Sequence, residues 1–137
     1  MAGLQLPLWP SFIASATFYA AGGDLDGLKR GYASNAAGIV YAAATLLVVE
    51  SLLGGGALAL SVVGAFMFLA SLHEYVPLLS FTPGGFFGYA TMFSVHAASA
   101  SAFGLPGLAG ETLAAAAAML IGAAIGFTTE VLSGELE

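Results

Sequence analysis

The amino-acid sequence predicts an all-α integral membrane protein with about five hydrophobic helices. Of its 137 residues, 59% are apolar and 7% are charged, whereas about a quarter of a soluble domain is charged. So few charges cannot cover a folded chain with polar surface, and lipid or neighbouring subunits must cover the remainder. Long uncharged runs separate the charged residues, and each run has room for the roughly 20 residues that cross a hydrocarbon core as a helix.

The uncharged runs place the five helices at residues 8–21, 28–50, 55–73, 83–101 and 111–131 of a single membrane domain, residues 1–137. These runs are continuous and rich in alanine instead of alternating over about ten residues, which favours helices over membrane strands. No positive charge precedes the first helix, so we interpret it as retained structure and not as a cleaved leader.

The few charges predict the orientation of the chain and exclude one class of partner. Two basic residues stand against eight acidic ones, so nucleic acid is not a partner recognised by a basic patch. The basic residues, Lys29 and Arg30, open the second helix, and the positive-inside rule predicts a cytoplasmic C-terminus. Carboxylates such as Glu111 lie at predicted helix ends, where we expect a solvated rim that reflects either adaptation to salt or attraction of cations.

An internal repeat is the most informative pattern in the sequence. Residues Phe12–Tyr19 align with Phe86–Phe93 at an offset of 74, and the alignment resumes at Gly27 and Gly107 with an offset of 80. The halves cover residues 1–53 and 54–137. In the predicted topology the two aligned blocks cross the membrane in opposite directions, so the sequence predicts inverted repeats.

Inverted repeats place a solute path at a pseudo-two-fold axis, marked by short helices with Pro or Gly at matching positions. Pro10 and Pro83 are predicted to start such helices, with Thr82 as an N-cap. Gly84 and Gly85 would allow a solute to approach the backbone closely. The alternative is that each proline starts an ordinary helix at the membrane interface, next to an aromatic anchor.

Four polar residues are candidates for solute binding, because polar groups at membrane depth are costly. His96 can relay a proton or bind a solute, or it can be a neutral side chain bonded to a backbone carbonyl. Thr17 and Thr91, which the repeat relates, can offer hydroxyl groups to a solute or bond to their own helix. Asn35 faces a pore or links two helices.

Four phenylalanines near the predicted axis can form a hydrophobic constriction, although core packing is their commoner role: Phe12, Phe18, Phe86 and Phe93. Gly122 and Gly126 form a small-xxx-small pair of the kind found at tight helix crossings. We expect this pair to pack within one subunit instead of forming a dimer face.

The repeat blocks resemble the YcdZ-like family of small inner-membrane proteins, whose function is unknown. The stretches that carry the resemblance are Ser11–Ala20 with Gly27–Gly31, and Leu79–Gly88 with Ala90–Phe93. The most specific element is the Phe-x-Pro-Gly-x-Phe-x-Gly pattern at Phe81–Gly88. The resemblance implies a multi-pass helical protein of the inner membrane, and it supplies no catalytic residue.

The sequence therefore favours a small channel or facilitator for a small polar or neutral solute, with its path near the paired proline-initiated helices. An accessory subunit of a larger membrane complex, with no path of its own, is the alternative. No motif of an enzyme, metal site or cofactor site is recognisable, so we expect none of these. Besides the lipid bilayer, the expected partner is a second copy of the chain, in a closed homo-oligomer.

Overall fold

A computed structural model describes residues 6–53, 56–102 and 104–136, and their regular structure is helical. The five predicted helices are confirmed. They are α1 (Trp9–Ala20), α2 (Leu25–Val48), α3 (Ala57–Ser71), α4 (Thr82–Ala97) and α5 (Gly107–Leu136). A π-helical turn, Val49–Leu53, extends α2, and two 3-10 turns, Leu72–Tyr75 and Pro77–Leu79, connect α3 to α4.

Local capping explains why two helix boundaries differ from the prediction. α2 begins at Leu25, three residues early, because the Asp24 carboxylate accepts a hydrogen bond of 2.7 Å from the Gly27 N–H. α4 ends at Ala97 and does not reach residue 101, because Ser99 adopts a left-handed φ of 52°. The N–H groups of Ser99 and Ala100 then bond back to carbonyls of the last turn, as in a Schellman motif.

The prediction that Thr82 caps α4 is wrong. Thr82 is the first residue of α4, and the N-cap position belongs to Phe81, which makes no side-chain cap hydrogen bond. Pro83 is therefore the second helical residue, where its missing N–H costs no helical hydrogen bond. Pro10 is likewise the second residue of α1.

The helices fall into two length classes. α2, α3 and α5 are long and apolar enough to cross a membrane. α1 has 12 residues and α4 has 16, which at 1.5 Å per residue gives lengths of about 18 and 24 Å. Both are shorter than a hydrocarbon core of about 30 Å. The prediction of a full crossing in every uncharged run is therefore wrong for α1 and α4.

Two helix pairs, α2 with α4 and α1 with α5, make the most extensive contacts. At one crossing a Cβ atom on Gly38 would overlap the carbonyl oxygen of Gly85, and at the other a Cβ on Gly122 would overlap that of Ser11. Only glycine allows the backbones to approach this closely. Gly126 faces the ring of Phe18 on α1, so the predicted packing of the glycine pair within one subunit is confirmed.

Hydroxyl groups on one face of α1 reinforce its contact with α5. Side-chain hydroxyl groups on three successive turns of α1 donate hydrogen bonds to backbone carbonyls of α5: Ser11 to Ala118 at 2.9 Å, Ser15 to Gly122 at 2.6 Å and Tyr19 to Gly126 at 3.4 Å. Because donors and acceptors both advance by four residues, α1 and α5 run parallel. We call Ser11, Ser15 and Tyr19 the hydroxyl ladder.

The other helix directions follow from contacts at the helix ends. Trp9, the first residue of α1, donates a hydrogen bond of 3.1 Å to Ser94 in the last turn of α4, so α1 and α4 are antiparallel. Gly84 at the start of α4 contacts Ser34 in the first half of α2. His96 near the end of α4 contacts Glu50, just beyond the end of α2. α2 and α4 are therefore parallel.

Candidate functional site

A groove of about 220 Å³ lies where α1 and α4 pass each other. Its lining consists of Ile13 and Ala16 from α1 and of Phe87 and Ala90 from α4. These residues form two pairs, Ile13 with Phe87 and Ala16 with Ala90, and the members of each pair are 74 residues apart. This separation equals the offset of the sequence repeat, so each half of the chain supplies the same two positions.

The groove is apolar and open at its surface, since Ala16 and Ala90 are both exposed. The hydrogen bond from Trp9 to Ser94 joins the two helices at one end. An apolar lining without a charged group cannot compensate the lost hydration of an ion, but it admits a neutral molecule.

Two of the predicted polar residues meet in the interior next to α1. Thr17 and Asn35 are both 1% exposed, and the Thr17 hydroxyl lies 2.9 Å from the Ile13 carbonyl oxygen and 3.2 Å from Asn35 Oδ1. A hydroxyl carries one hydrogen and cannot fully serve two acceptors. Asn35 therefore retains unused hydrogen-bonding capacity in the core.

Three buried polar atoms have no hydrogen-bond partner among the described residues: Ser34 Oγ, Asn35 Nδ2 and Thr91 Oγ1. Such groups are uncommon, because each costs about 1–3 kcal/mol when it is left unsatisfied. Thr91 also breaks the expected equivalence with Thr17, whose hydroxyl is bonded. The two threonines thus occupy matching positions with different hydrogen bonding.

The predicted polar residues are absent from the linings of three grooves in the described part of the chain. The α1/α4 groove and two other apolar grooves, one between α2 and α5 and one on α5, contain none of Thr17, Asn35, Thr91 and His96 in their linings. His96 lies near the end of α4, where it contacts two carboxylates. The polar groups therefore lie behind the groove or beyond its end.

The paired glycines serve helix packing, whereas the two prolines differ in exposure. Pro10 is buried and Pro83 is exposed. A Cβ on Gly84 would lie 2.9 Å from the Cβ of Ser34, and one on Gly85 would lie 3.9 Å from that of Ala70. The glycines therefore face other helices of the chain.

The four phenylalanines are distributed over separate surfaces. Phe18 is buried against Tyr19 and Phe127, and Phe93 packs on Tyr89 with ring centroids 5.0 Å apart. Phe12 is 73% exposed and Phe86 is 36% exposed. Among the described ring pairs none joins two of the four, and a common constriction stays a prediction.

A cluster of ionisable groups joins the ends of three elements. His96 Nδ1 lies 2.6 Å from Glu111 Oε2 at the start of α5, and His96 Nε2 lies 2.8 Å from Glu50 Oε1 in the π-helical turn. Both ring nitrogens of His96 thus face carboxylates, and not the backbone carbonyl that the sequence offered as one alternative. Glu111 is only 8% exposed, so its placement in a solvated rim is wrong. Histidine neutralises part of the charge that burial would otherwise make costly.

Sequence reasoning missed the hydroxyl ladder and the cluster for different reasons. The ladder has a visible signal, because Ser11, Ser15 and Tyr19 recur every four residues and share one helix face. The cluster has none, because Glu50, His96 and Glu111 are far apart in the chain and meet only after folding. No group of three or more residues that could hold a metal ion occurs among the described residues.

Together, the apolar exposed surface and the three long helices define a helical membrane protein. The chain belongs to the family described as "Protein of unknown function (DUF1097)", whose model matches residues 1–134. It is similar to "Uncharacterized protein YahC" of Escherichia coli (strain K12), with 39% identity over 95 residues, or 61% of this chain. The match covers 53% of that protein, about half its length. No solved structure matches, and the narrower YcdZ-like grouping stays a prediction.

Proposed function

We propose that this protein is a small membrane channel or facilitator for a small polar or neutral solute, built from two inverted repeats. The observation that carries the proposal is the α1/α4 groove, which both halves line with residues 74 positions apart. A site shared by two antiparallel short helices at a repeat interface is typical of transporter folds.

The contacts between the repeats support the same symmetry. The Ser11–Gly122 contact corresponds to the Gly85–Gly38 contact: Ser11 and Gly85 are 74 residues apart, and Gly38 and Gly122 are 84 apart. In α2 and α5 this separation exceeds the aligned offset of 80 by four residues, about one helical turn. A pseudo-two-fold rotation that exchanges the two most extensive helix pairs would account for both contacts, and among the described residues α3 has no counterpart in the first half.

The lining favours an uncharged solute. Ile13, Ala16, Phe87 and Ala90 offer no charge or hydrogen-bond donor from their side chains, so an ion would lose hydration without replacement. The open side of the groove fits closure by a neighbouring copy in a homo-oligomer. The orientation with a cytoplasmic C-terminus in the inner membrane remains part of the proposal.

Flux through liposomes tests this function. Purified protein is reconstituted and stopped-flow light scattering follows shrinking and swelling with a panel of small neutral and ionic solutes. We expect at least one neutral solute to cross faster than through protein-free lipid. Ala16→Leu and Ala90→Leu fill the groove and should slow that solute, whereas Ala65→Leu, on an exposed surface of α3, should leave its rate unchanged.

An accessory subunit is the second candidate, and α3 is the observation that favours it. α3 is the least buried of the three long helices, and it presents exposed side chains such as Leu58, Leu60 and Phe68. This face can pack against a larger complex as well as against lipid. If no solute in the panel crosses faster than through empty liposomes, this second function replaces the first, and native co-purification identifies the complex.

A further inference from the structure

The cluster of Glu50, His96 and Glu111 has a hydrogen-bond arrangement that restricts its protonation. Both ring nitrogens of His96 lie within hydrogen-bonding distance of a carboxylate oxygen. An ionised carboxylate only accepts hydrogen bonds, and a neutral imidazole has one N–H donor and one acceptor nitrogen. Two bridges therefore require two protons, carried either by an imidazolium or by a neutral ring and one protonated carboxyl group.

The number of bound protons affects contacts between helices, because the three residues of the cluster lie at the ends of different helices. Glu50 lies in the π-helical turn after α2, His96 in the last turn of α4, and Glu111 in the first turns of α5. The neighbouring contact from α1 is uncharged, since the indole of Trp9 bonds to the Ser94 hydroxyl. Within the described chain, Glu50 and Glu111 are the charged groups that contact His96.

We propose that Glu50, His96 and Glu111 form a proton-binding site that fastens the ends of α2, α4 and α5 to one another. With its second proton bound, the site has a net charge of −1 and both bridges are made. When that proton passes to water, the charge becomes −2 and one ring nitrogen presents a lone pair to a carboxylate, which breaks one bridge.

The Glu50 bridge is the one that opens. The side chain of Glu50 is 55% exposed, whereas that of Glu111 is 10% exposed. Water can hydrate the released Glu50 carboxylate, but a released Glu111 carboxylate would remain poorly hydrated. The remaining proton therefore stays on Nδ1, between His96 and Glu111, and the end of α2 becomes free to move away from α4.

Two readouts test the site without any measurement of transport. The chain has two histidines and one tryptophan, so ¹⁵N NMR of ring-labelled histidine is simple to assign with His96→Gln, and Trp9 fluorescence reports on the adjacent Ser94 contact. In nanodiscs, we expect both His96 nitrogens to be protonated at mildly acidic pH and Nδ1 alone at alkaline pH. The Trp9 emission should shift over the same pH interval.

Matched variants separate proton binding from a merely structural contact. Glu50→Gln supplies an amide N–H that can donate to a neutral Nε2, so its bridge needs no second ring proton and the fluorescence shift should be lost. His73→Gln changes the other histidine, which contacts the Tyr41 hydroxyl at 2.5 Å, and should keep the shift. The proposal is overturned if neither the His96 nitrogen signals nor the Trp9 emission changes over the pH range, or if Glu50→Gln titrates like the unchanged protein.

Discussion

At the scale of single residues, equivalent positions in the two halves have different hydrogen bonding. Thr17 bonds to the Ile13 carbonyl and reaches Asn35, whereas the Thr91 hydroxyl has no partner in the described structure. Asn35 itself lies 84 residues before Met119, and both side chains are almost completely buried. Residues that the sequence alignment pairs therefore differ in their hydrogen bonding.

The two threonines should respond differently to the same substitution. Thr17→Val removes a bonded hydroxyl, and we expect it to lower the free energy of unfolding by about 1 kcal/mol. This value lies in the upper part of the range measured for hydrogen bonds between membrane helices. Thr91→Val removes a buried unpaired hydroxyl and should leave stability unchanged or raise it. Reversible unfolding in mixed micelles measures both, and an equal loss in the two variants would contradict the assigned hydrogen bonds.

Gly38 should tolerate no side chain, because a Cβ there would overlap the Gly85 carbonyl oxygen. Gly38→Ala forces α2 and α4 apart, and we expect a loss of about 1–3 kcal/mol in the same unfolding measurement. Gly64→Ala is the matched control on α3, since no described atom outside its own helix turn lies within 4 Å of the added Cβ. That control should be neutral or slightly stabilising, since alanine favours helix by about 1 kcal/mol. Comparable losses in both variants would show that the crossing is not this tight.

At the scale of helices, the sequence predicts the number and type of elements better than their ends or lengths. Uncharged runs locate five helices because charge is excluded from lipid. The uncharged runs also include loop residues, so the predicted fourth helix extends past Ser99, whereas the left-handed φ of Ser99 ends α4. α1 was expected to cross the membrane, although its 12 residues are too few. The aligned block of residues 12–19 lies on α1, as the sequence predicts. In α2 and α5, however, the packed residues Gly38 and Gly122 are 84 apart and not 80, a difference of one helical turn that the alignment does not show.

Helix directions predict which ends are exposed on the same side of the membrane. The start of α1 and the end of α4 lie together. The starts of α2 and α4 both point toward the opposite end, where Gly84 contacts Ser34 in the first half of α2. Ala98→Cys, after α4, and Ala57→Cys, at the start of α3, should therefore react with an impermeant maleimide from one side, and Leu25→Cys and Glu74→Cys from the other. The unchanged chain has no cysteine and serves as the background control. Labelling of Leu25→Cys and Ala98→Cys, at equivalent connections of the two halves, from the same side would exclude the inverted arrangement.

At the scale of the whole molecule, the class of protein is predictable from composition, whereas the residues of the candidate site are predictable only in part. Composition alone indicates a membrane protein, because a chain with 7% charged residues leaves most of its surface to lipid. The candidate site was only partly predictable, because the repeat blocks contain the groove but none of the polar residues, prolines, glycines and phenylalanines singled out from the sequence is in its lining. The cluster of Glu50, His96 and Glu111 joins three residues that are distant in sequence, so no local sequence pattern predicts it.

A thiol-blocking experiment on the α1/α4 groove tests the central claim most directly. Ala16→Cys and Ala90→Cys are each reconstituted, and the flux of the fastest neutral solute is measured before modification with a methanethiosulfonate reagent, after it, and after reduction. Ala65→Cys on α3 is the control. We predict that modification at either groove position removes most of the protein-dependent flux, that reduction restores it, and that the control does not change. Complete modification of both groove cysteines without any change in flux would contradict a path between the repeats.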